Sequence, residues 1–268
     1  MLKPRIIPCL LIRNGGLVKT VRFADAKYVG DPINAVKIFN EKRTDELIVL
    51  DIDASGERRE PNFKLIAQLA VECRMPLCYG GGVKTVEQAK RIVGLGVEKV
   101  ALSSAAIENP ELVSQIAAEI GSQSVAVVLD TKRPAPGKDA EVWVRNGSEN
   151  TRRAALAVAL EAEQHGAGEI VLNAIDRDGR MDGYDIELAR QIRQHARIPM
   201  TALGGAGSLA DIAKLISACG IVGAAAGSLF VFKGAYRAVL INYPNPEQKD
   251  ALIDQAMRES GFILPGAT

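Results

Sequence analysis

The sequence contains one glycine-rich stretch twice, at positions that divide the chain nearly in half. Residues 75–83 read Met-Pro-Leu-Cys-Tyr-Gly-Gly-Gly-Val, and residues 198–207 read Ile-Pro-Met-Thr-Ala-Leu-Gly-Gly-Ala-Gly. Each copy is an apolar run that ends in glycines, and each is followed further along by an apolar run that ends in serine. Gly80 and Gly204 are 124 residues apart, as are Ser104 and Ser228, in a chain of 268 residues. The sequence therefore predicts two similar halves.

Eight apolar runs of strand length alternate with segments of helical pattern along the chain. We predict strands at residues 5–12, 47–51, 77–79, 99–102, 125–130, 170–173, 200–203 and 223–226. We predict helices at residues 33–40, 62–73, 85–92, 109–120, 151–165, 185–195 and 208–217, and an eighth that reaches about residue 243. This repeated alternation favours a (β/α)8 TIM barrel of the α/β class, with a half-barrel repeat. An open doubly wound sheet gives no reason for its halves to match.

Three segments fall outside this alternation. Residues 15–22 are predicted to form a loop, and the polar residues 131–150 an insertion with a hairpin around residues 141–144. Residues 247–260 have the pattern of one extra helix. We therefore predict a barrel at residues 1–243 and a C-terminal helical extension at residues 244–268.

The charge balance argues against partners that bind through a global electrostatic field. The chain has 33 Lys and Arg against 32 Asp and Glu, a formal net charge of +1, so we expect neither nucleic acid nor a membrane as a partner. The four cysteines form no CxxC pair and no zinc-ligand spacing, so we expect reduced thiols and predict neither a metal nor a cofactor. No apolar run approaches the length of a membrane span, which predicts a cytoplasmic protein.

Small residues at the strand ends indicate anion binding. Glycines follow the third and seventh predicted strands and serines follow the fourth and eighth, where backbone N–H groups at helix starts can approach an anion. A single glycine run is more often simple turn chemistry, but two copies at equivalent barrel positions predict two phosphate sites on opposite sides of the mouth. A ligand that reaches both sites carries a phosphate at each end.

Carboxylates also follow the strands, at the end of the barrel that holds the chemistry in this fold. Asp51, Asp130 and Asp176 stand at or just past strand ends, and Asp178 lies in the loop beyond. Any one of them could instead cap a helix or pair with a cation, and the sequence leaves that open. In the repeat, Asp130 is matched by Leu11.

Charged residues of both signs stand at or just before the starts of four predicted strands. They are Arg5, Glu46, Lys99 and Glu169. Such charges could simply solvate the floor of a barrel. Mixed signs on converging strands instead predict a closed ring of ion pairs around the barrel axis.

Several further segments, distributed along about residues 1–240, belong with these motifs. They include Arg5-Ile-Ile-Pro-Cys-Leu10, Gly30-Asp-Pro32, Leu50-Asp-Ile-Asp-Ala-Ser55, Gly80-Gly-Gly82, Gly121-Ser-Gln123, Gly166-Ala-Gly-Glu-Ile170, Asp176-Arg-Asp-Gly179, Gly183-Tyr-Asp185 and Gly204-Gly-Ala-Gly207. Together they resemble HisF, the cyclase subunit of imidazole glycerol phosphate synthase. The resemblance implies a half-barrel-symmetric TIM barrel that binds a bisphosphate ribonucleotide across its mouth. It also implies a glutaminase partner, HisH, on the barrel floor, which sends ammonia along the barrel axis past a charged gate.

The resemblance also implies roles for individual residues. One phosphate site falls on Gly82, Ser103 and Ser104, and the other on Asp178, Gly179, Gly205, Gly227 and Ser228. The four members of the ammonia gate are matched by Arg5, Glu46, Lys99 and Glu169. Lys19 matches the loop lysine that closes over substrate, and Asp51 is placed with the substrate-binding residues. Asp130 matches one of two catalytic aspartates, and the other belongs at Leu11.

The departures from the family pattern lie at the mouth. Ser103-Ser104 stands where the family has Asn-Thr, and Asn173-Ala174 where it has Thr-Ser. Leucine at position 11 removes an acid or base, which lowers a rate by about 10²–10⁴. Residues 28–35, 61–66 and 78–82 also resemble HisF paralogues that accompany surface-polysaccharide or flagellin sugar enzymes. There the barrel and its glutaminase supply ammonia to a separate amidotransferase.

Three functions follow from these patterns. The first is a HisF paralogue that conducts ammonia to a third enzyme, with its cyclase activity reduced or lost. The alternative is a working cyclase, a lyase of histidine biosynthesis that tolerates Leu11. A weaker third interpretation is an isomerase like HisA, which shares the bisphosphate and the half-barrel repeat. That isomerase uses an aspartate after the first strand and needs no axial gate.

Overall fold

Within the described part of the chain, eight parallel strands close into a barrel that helices cover on the outside. The computed structural model describes residues 3–135, 137–234 and 236–260. In chain order the strands are β1 (Arg5–Arg13), β2 (Gly16–Val21), β3 (Ala24–Gly30), β4 (Leu47–Asp51), β5 (Leu77–Gly80), β6 (Lys99–Leu102), β7 (Val125–Lys132), β8 (Glu141–Val144), β9 (Glu149–Ala154), β10 (Glu169–Ala174), β11 (Met200–Leu203), β12 (Gly223–Ala226), β13 (Phe232–Lys233) and β14 (Ala238–Val239). The helices are α1 (Pro32–Glu41), α2 (Phe63–Glu72), α3 (Val86–Gly94), α4 (Ser104–Glu108), α5 (Glu111–Ile120), α6 (Ala155–Gln164), α7 (Ile186–His195), α8 (Leu209–Cys219), α9 (Ser228–Val231) and α10 (Pro246–Glu259).

The barrel wall consists of β1, β4, β5, β6, β7, β10, β11 and β12, in that order. Each strand pairs in parallel with the next, and β12 pairs with β1, which closes the wall. The first four of these strands come from the first half of the chain and the last four from the second. The predicted TIM barrel with a half-barrel repeat is therefore confirmed.

Two capping boxes fix the starts of α3 and α8 at equivalent places in the two halves. The Thr85 hydroxyl accepts from the Gln88 N–H, while the Gln88 side chain accepts from the Thr85 N–H. Ser208 and Asp211 form the same reciprocal pair at the start of α8. Both boxes follow a glycine run closely, so each run is held between a barrel strand and the first turn of a helix.

Several segments differ from the predicted secondary structure. Residues 15–22 are not a loop, because β2 and β3 form an antiparallel hairpin that continues the sheet from β1. Residues 151–154 belong to β9 of the insertion hairpin, and α6 starts only at Ala155. The predicted barrel helix reaching residue 243 is wrong, since α9 ends at Val231 and the small hairpin β13–β14 follows. The short helix α4 was not predicted at all.

The helix α10 packs on the outside of the barrel. It lies against α8, and Ile253, Ala256 and Met257 are buried in the same apolar core as the barrel strands. Lys249 forms an ion pair with Asp45, just before β4. The predicted extra helix at residues 247–260 is thus confirmed at 246–259, while the division at residue 243 stays a prediction. Residues 261–268 of the predicted extension lie outside the described residues.

A small apolar core fills the interior of the barrel, separate from the larger core between strands and helices. Its buried members are Ile7, Cys9, Ile48, Cys78, Ala101, Ala126, Val128, Val171, Leu203 and Ala225. They alternate along the strands with residues that face the helices, as the pleat of a barrel requires. In the part of the chain that the structure describes, no helix is long and apolar enough to cross a membrane.

Candidate active site

Four charged side chains form a ring at the barrel floor, the end where the strands begin. Arg5 donates to Glu46 and, at 2.7 Å, to Glu169. Lys99 closes the ring, with its ammonium 2.8 Å from Glu46 and 2.7 Å from Glu169. The Thr201 hydroxyl also donates to Glu169, at 2.5 Å. The ion pairs predicted from the sequence are therefore present in the structure, and we call these four charged residues the floor ring.

Mutual pairing favours the charged forms of Arg5, Lys99 and Glu169 in the floor ring. Burial alone would lower the pKa values of Arg5 and Lys99, but the neighbouring Glu169 and Glu46 carboxylates outweigh it and raise both. Burial would likewise raise the pKa of Glu169, yet the charges of Arg5 and Lys99 hold that pKa below its ordinary value. The ring pairs two basic with two acidic side chains, so its formal charges balance.

The opposite end of the barrel holds a cavity of about 410 Å³, which we call the mouth cavity. Its lining includes the loops after β4, β5 and β6, the turn between β8 and β9, and residues of β1 and of the β2–β3 hairpin. Gly82, Ser103 and Ser104, the residues of the first predicted phosphate site, line it together with Asp51 and Asp130. The structure therefore brings that site and the candidate catalytic carboxylate into one space.

Asp130 is a buried carboxylate of the mouth cavity. It accepts hydrogen bonds from the Ser103 hydroxyl at 3.2 Å and from the Asn173 amide at 2.8 Å. Burial raises the pKa of Asp130 to about 6, although both hydrogen bonds favour the ionised form. A carboxyl group with a pKa near 6 can gain and lose a proton near neutral pH, as a general acid or base must.

Leu11 lies at the mouth, at the position that the half-barrel repeat matches to Asp130. Its side chain is partly buried, lines the mouth cavity and packs on the inner core. The register of β1 and β4 places it opposite Leu50, another partly buried lining residue. An aliphatic pair therefore occupies this part of the mouth, and position 11 has no group that can transfer a proton.

The residues of the second predicted phosphate site also lie together. A smaller pocket of about 30 Å³ is lined by residues that include Asp178, Gly179, Gly205, Gly227 and Ser228. Lys19 from β2 also lines this pocket, and its ammonium donates to the Cys9 carbonyl at 2.6 Å. A Cβ atom added to Gly227 would lie only 2.5 Å from the same nitrogen. Burial lowers the pKa of Lys19.

Gly82 and Gly205 occupy backbone conformations that favour glycine. Their φ angles are 76° and 104°, in the left-handed region. An added Cβ would lie 2.7 Å from the Arg59 carbonyl oxygen at Gly82, and 2.1 Å from the Gly183 carbonyl oxygen at Gly205. Any larger residue would push the loop away from its neighbour, so both loops depend on glycine for their position.

Two hairpins cover the mouth, and each rests on a loop of the other half-barrel. The hairpin β2–β3 follows β1, and its Thr20 hydroxyl donates to the Asp178 carboxylate at 2.7 Å. The hairpin β8–β9 follows β7, and the Arg145 N–H between its strands donates to the Ser104 hydroxyl at 2.8 Å. We call these two elements the mouth hairpins. The hairpin of each half therefore contacts the predicted phosphate-binding loop of the other half.

The remaining strand-end carboxylates have structural partners. Asp51 accepts from the Ala54 N–H at 3.2 Å and pairs with Arg59 at 3.4 Å. Asp176 accepts from the Arg133 N–H at 3.0 Å and lines a different pocket, of about 250 Å³. Asp51 stays in the mouth cavity, whereas Asp176 is not among the residues that line it.

Three contributors to these sites were not recognised from the sequence. Asn173 was noted only as a departure from the family pattern, although it pairs with Asp130 across β7 and β10. No sequence pattern marks Thr201 at the floor or Arg145 at the mouth, because the residues that they contact are far away along the chain. Only the strand register could have identified Asn173 in advance.

Comparisons with known proteins agree with this architecture. The family described as Histidine biosynthesis protein matches residues 5–237. A Leptospira interrogans protein, provisionally named imidazole glycerol phosphate synthase subunit HisF, is 56% identical over 252 residues, 94% of this chain and 99% of the relative. Subunit hisF2 of Pseudomonas aeruginosa, also provisionally named, is 50% identical over 93% of this chain and 99% of its own length. A Lactococcus lactis HisF subunit, named without that qualification, is 43% identical over 80% of this chain and 83% of its own.

The family match over residues 5–237 agrees with the predicted extent of the resemblance, about residues 1–240, and the match to the Leptospira interrogans protein extends further. A match over 252 residues of this chain must pass residue 240, so the relative shares at least the first part of α10. The family match, the high identity to HisF subunits and the closed barrel with its half-barrel repeat all agree. The chain belongs to the HisF family of TIM barrels.

Proposed function

We propose that this chain is the barrel subunit of a glutamine amidotransferase complex. A HisH-like glutaminase docks on the barrel floor, and ammonia passes through the floor ring and the barrel interior to the mouth. The acceptor lies in a separate amidotransferase that acts on a surface-polysaccharide sugar, and the chain's own cyclase activity is reduced or lost. The observation that carries this proposal is the complete floor ring beneath a mouth with leucine at position 11.

The chemistry of the interior supports passage of ammonia as a neutral molecule. Between the floor ring and the mouth, the buried residues of the inner core are apolar, and Leu11 and Leu50 extend this lining to the mouth cavity. Moving an ammonium ion through such a lining is costly, whereas uncharged ammonia loses far less solvation. The fixed charges of the floor ring lie where ammonia would enter, between the docked glutaminase and the apolar interior.

Leucine at position 11 supports the loss of cyclase activity. In the family's reaction two aspartates exchange protons while the imidazole ring closes, and here only Asp130 is present. Removing one positioned acid or base lowers the rate by about 10²–10⁴. A polar side chain in place of the aspartate could take over part of that role, but leucine cannot.

The order of the relatives supports a role distinct from histidine synthesis. The HisF subunits at 50–56% identity carry provisional names, whereas the unqualified HisF subunit of Lactococcus lactis is 43% identical. The relatives with provisional names also match over more of the chain, 93–95% against 80–86% for the unqualified HisF subunits. This pattern is typical of a paralogous group.

A cyclase assay tests the lost activity. The bisphosphate substrate of imidazole glycerol phosphate synthase is supplied with an ammonium salt, which bypasses any glutaminase, and product formation is followed. We expect little or no turnover by the wild type, a gain in the Leu11→Asp variant, and no gain in Leu11→Asn, which matches the shape without the acid. Wild-type turnover equal to that of an unqualified HisF subunit would refute the proposal.

A coupling assay tests the ammonia route. A cognate HisH-like glutaminase should co-purify with the chain, and glutamine hydrolysis should match ammonia used by the acceptor enzyme. Charge reversal at Lys99 or Glu46 should uncouple the two rates. The matched control is Lys90→Glu, which reverses one partner of the exposed Lys90–Glu119 pair on the barrel surface. Unchanged coupling in both floor-ring variants would show that ammonia takes another path.

One observation favours the alternative, a working cyclase in histidine biosynthesis. Asp130 is buried, is held by two hydrogen bonds and has a pKa of about 6, so one acid and base of the reaction is ready for use. Asp51 lies in the same cavity. The cyclase assay decides between the two functions, because the alternative requires wild-type turnover without substitution at Leu11.

A further inference from the structure

Two exposed cations line the mouth cavity without a side-chain partner among the described residues. Arg58 lies in the loop between β4 and α2, and Lys84 lies just before α3, so two separate loops bring them to one cavity. The third cation of the lining, Arg145, is already paired with Glu108 and Glu149. Arg58 and Lys84 therefore provide positive charge that is available to a ligand.

The acids of the mouth cavity do not neutralise these two cations. Glu108 is occupied by Arg145, and Asp51 by Arg59. Asp130 is bonded to Ser103 and Asn173 instead. An anion in the cavity would thus meet the glycine and serine loops together with two cations that have no side-chain partner among the described residues.

The second predicted phosphate site is not open in the same way. The pocket beside Gly227 has a volume of about 30 Å³, and the Lys19 ammonium lies against that glycine. A volume of this size suits a single water molecule rather than a phosphoryl group. A phosphate can enter there only if the Lys19 side chain moves aside. The space and the available charge both lie at the first site.

We propose that the mouth cavity binds a diphosphate ester, with both phosphoryl groups at the same end. The first phosphoryl group lies on the loops of Gly82 and Ser104, and the second lies between Arg58 and Lys84. The organic part contacts the aliphatic wall formed by residues such as Leu50. This ligand class differs from a long molecule with one phosphate at each end. The inference goes beyond the proposed function, and it requires only that the glycine and serine loops at the mouth bind an anion.

Titration calorimetry on the full chain tests the proposal, with inorganic pyrophosphate and inorganic phosphate as probes in metal-free buffer. We expect pyrophosphate to bind about tenfold or more tightly than phosphate, because charge-assisted hydrogen bonds to two cations add to those of the loops. The double variant Arg58→Ala/Lys84→Ala should lose about that factor for pyrophosphate and change little for phosphate. Lys64→Ala, an exposed lysine at the start of α2 that does not line the cavity, should bind both like the wild type.

Several outcomes would overturn the proposal. Equal affinity for pyrophosphate and phosphate, or an unchanged pyrophosphate affinity in the double variant, shows that the two cations do not hold a second phosphoryl group. Tighter binding of fructose 1,6-bisphosphate than of pyrophosphate shows that the site takes phosphates at opposite ends. Thermal melting confirms that each variant is folded. Because binding is measured without glutaminase or ammonia, a failure here leaves the ammonia route intact, and a failure of coupling leaves the binding result intact.

Discussion

Among single residues, Asp130 is the carboxyl group whose chemistry the fold changes most clearly. Burial raises its pKa from 3.8 to about 6. A pKa raised in the folded chain means that folding favours the protonated form. The stability that the neutral carboxyl contributes is therefore fully present below about pH 4 and is lost as the pH rises through about 6.

Replacing Asp130 by Asn should remove this pH dependence. The free energy of unfolding of the wild type, relative to that of the variant, should fall by about 2 kcal/mol between pH 4 and pH 7. Urea denaturation of both proteins at a series of pH values measures the difference. The contributions of carboxylates that do not interact with Asp130 cancel between the two proteins. A difference that does not vary with pH would contradict the raised pKa.

Most residues of the site could be predicted because the repeat places them at equivalent strand ends. Gly82 and Gly205 follow the third strand of each half, and Ser104 and Ser228 follow the fourth. The partners of these residues could not be predicted in the same way. The bond from Asn173 to Asp130 depends on which strands are neighbours, and no local pattern encodes that.

Among the elements, the hairpin β2–β3 depends on a distant loop for its position. Thr20→Val removes the hydroxyl that donates to Asp178 but keeps the shape of the side chain. We expect faster amide hydrogen exchange across the hairpin and faster tryptic cleavage at Arg22 or Lys27, because local opening becomes easier. Thr20→Ser, which keeps the hydroxyl, should behave like the wild type. Equal exchange in all three proteins would show that the bond does not hold the hairpin.

This dependence explains why residues 15–22 were predicted to form a loop. The paired glycines and the polar residues after them are typical of a turn, and the segment has no strong alternation. The hairpin forms because β2 pairs with the end of β1 and because Asp178 contacts Thr20 and the Phe23 N–H. By contrast, the barrel strands are continuous apolar runs, which the sequence shows directly.

The helix α10 should contribute to the stability of the whole barrel. Ile253 is buried between α10 and the rest of the core, so Ile253→Ala should lower the free energy of unfolding by about 2–5 kcal/mol. Asp254→Ala, at the exposed neighbouring position, is the matched control and should change it little. Chemical denaturation measures both. An equally small effect at both positions would indicate that the helix is a separable extension, as the division at residue 243 predicts.

For the whole molecule, the floor ring joins strands from both halves of the chain. Glu169→Gln leaves Arg5 and Lys99 with one carboxylate between them instead of two. We expect the free energy of unfolding at neutral pH to fall by about 3–5 kcal/mol, because burial of the cations is then poorly compensated. Urea denaturation at pH 7 measures this loss. Glu119→Gln, which breaks only an exposed pair with Lys90, is the control and should have little effect.

The wild type and the Glu169→Gln variant also test the direction in which the stability difference changes with pH. The pKa of Glu169 is held below its ordinary value of 4.5, so its stabilising contribution is fully present above pH 4.5 and is lost as the pH falls through the lower value in the folded chain. The wild type and Glu169→Gln should therefore become more alike toward pH 3. A gap that widens in acid would contradict the ion pairing described for this residue.

The reciprocal contacts of the mouth hairpins link the two halves of the barrel mechanically. Each hairpin is attached to one half and is bonded to a loop of the other, through Thr20 and Asp178 on one side and Arg145 and Ser104 on the other. A small rotation of one half relative to the other would strain both bonds at once. Opening of one mouth hairpin would then favour opening of the other. Access to the two sides of the mouth would therefore change together, as a consequence of the symmetry of the fold.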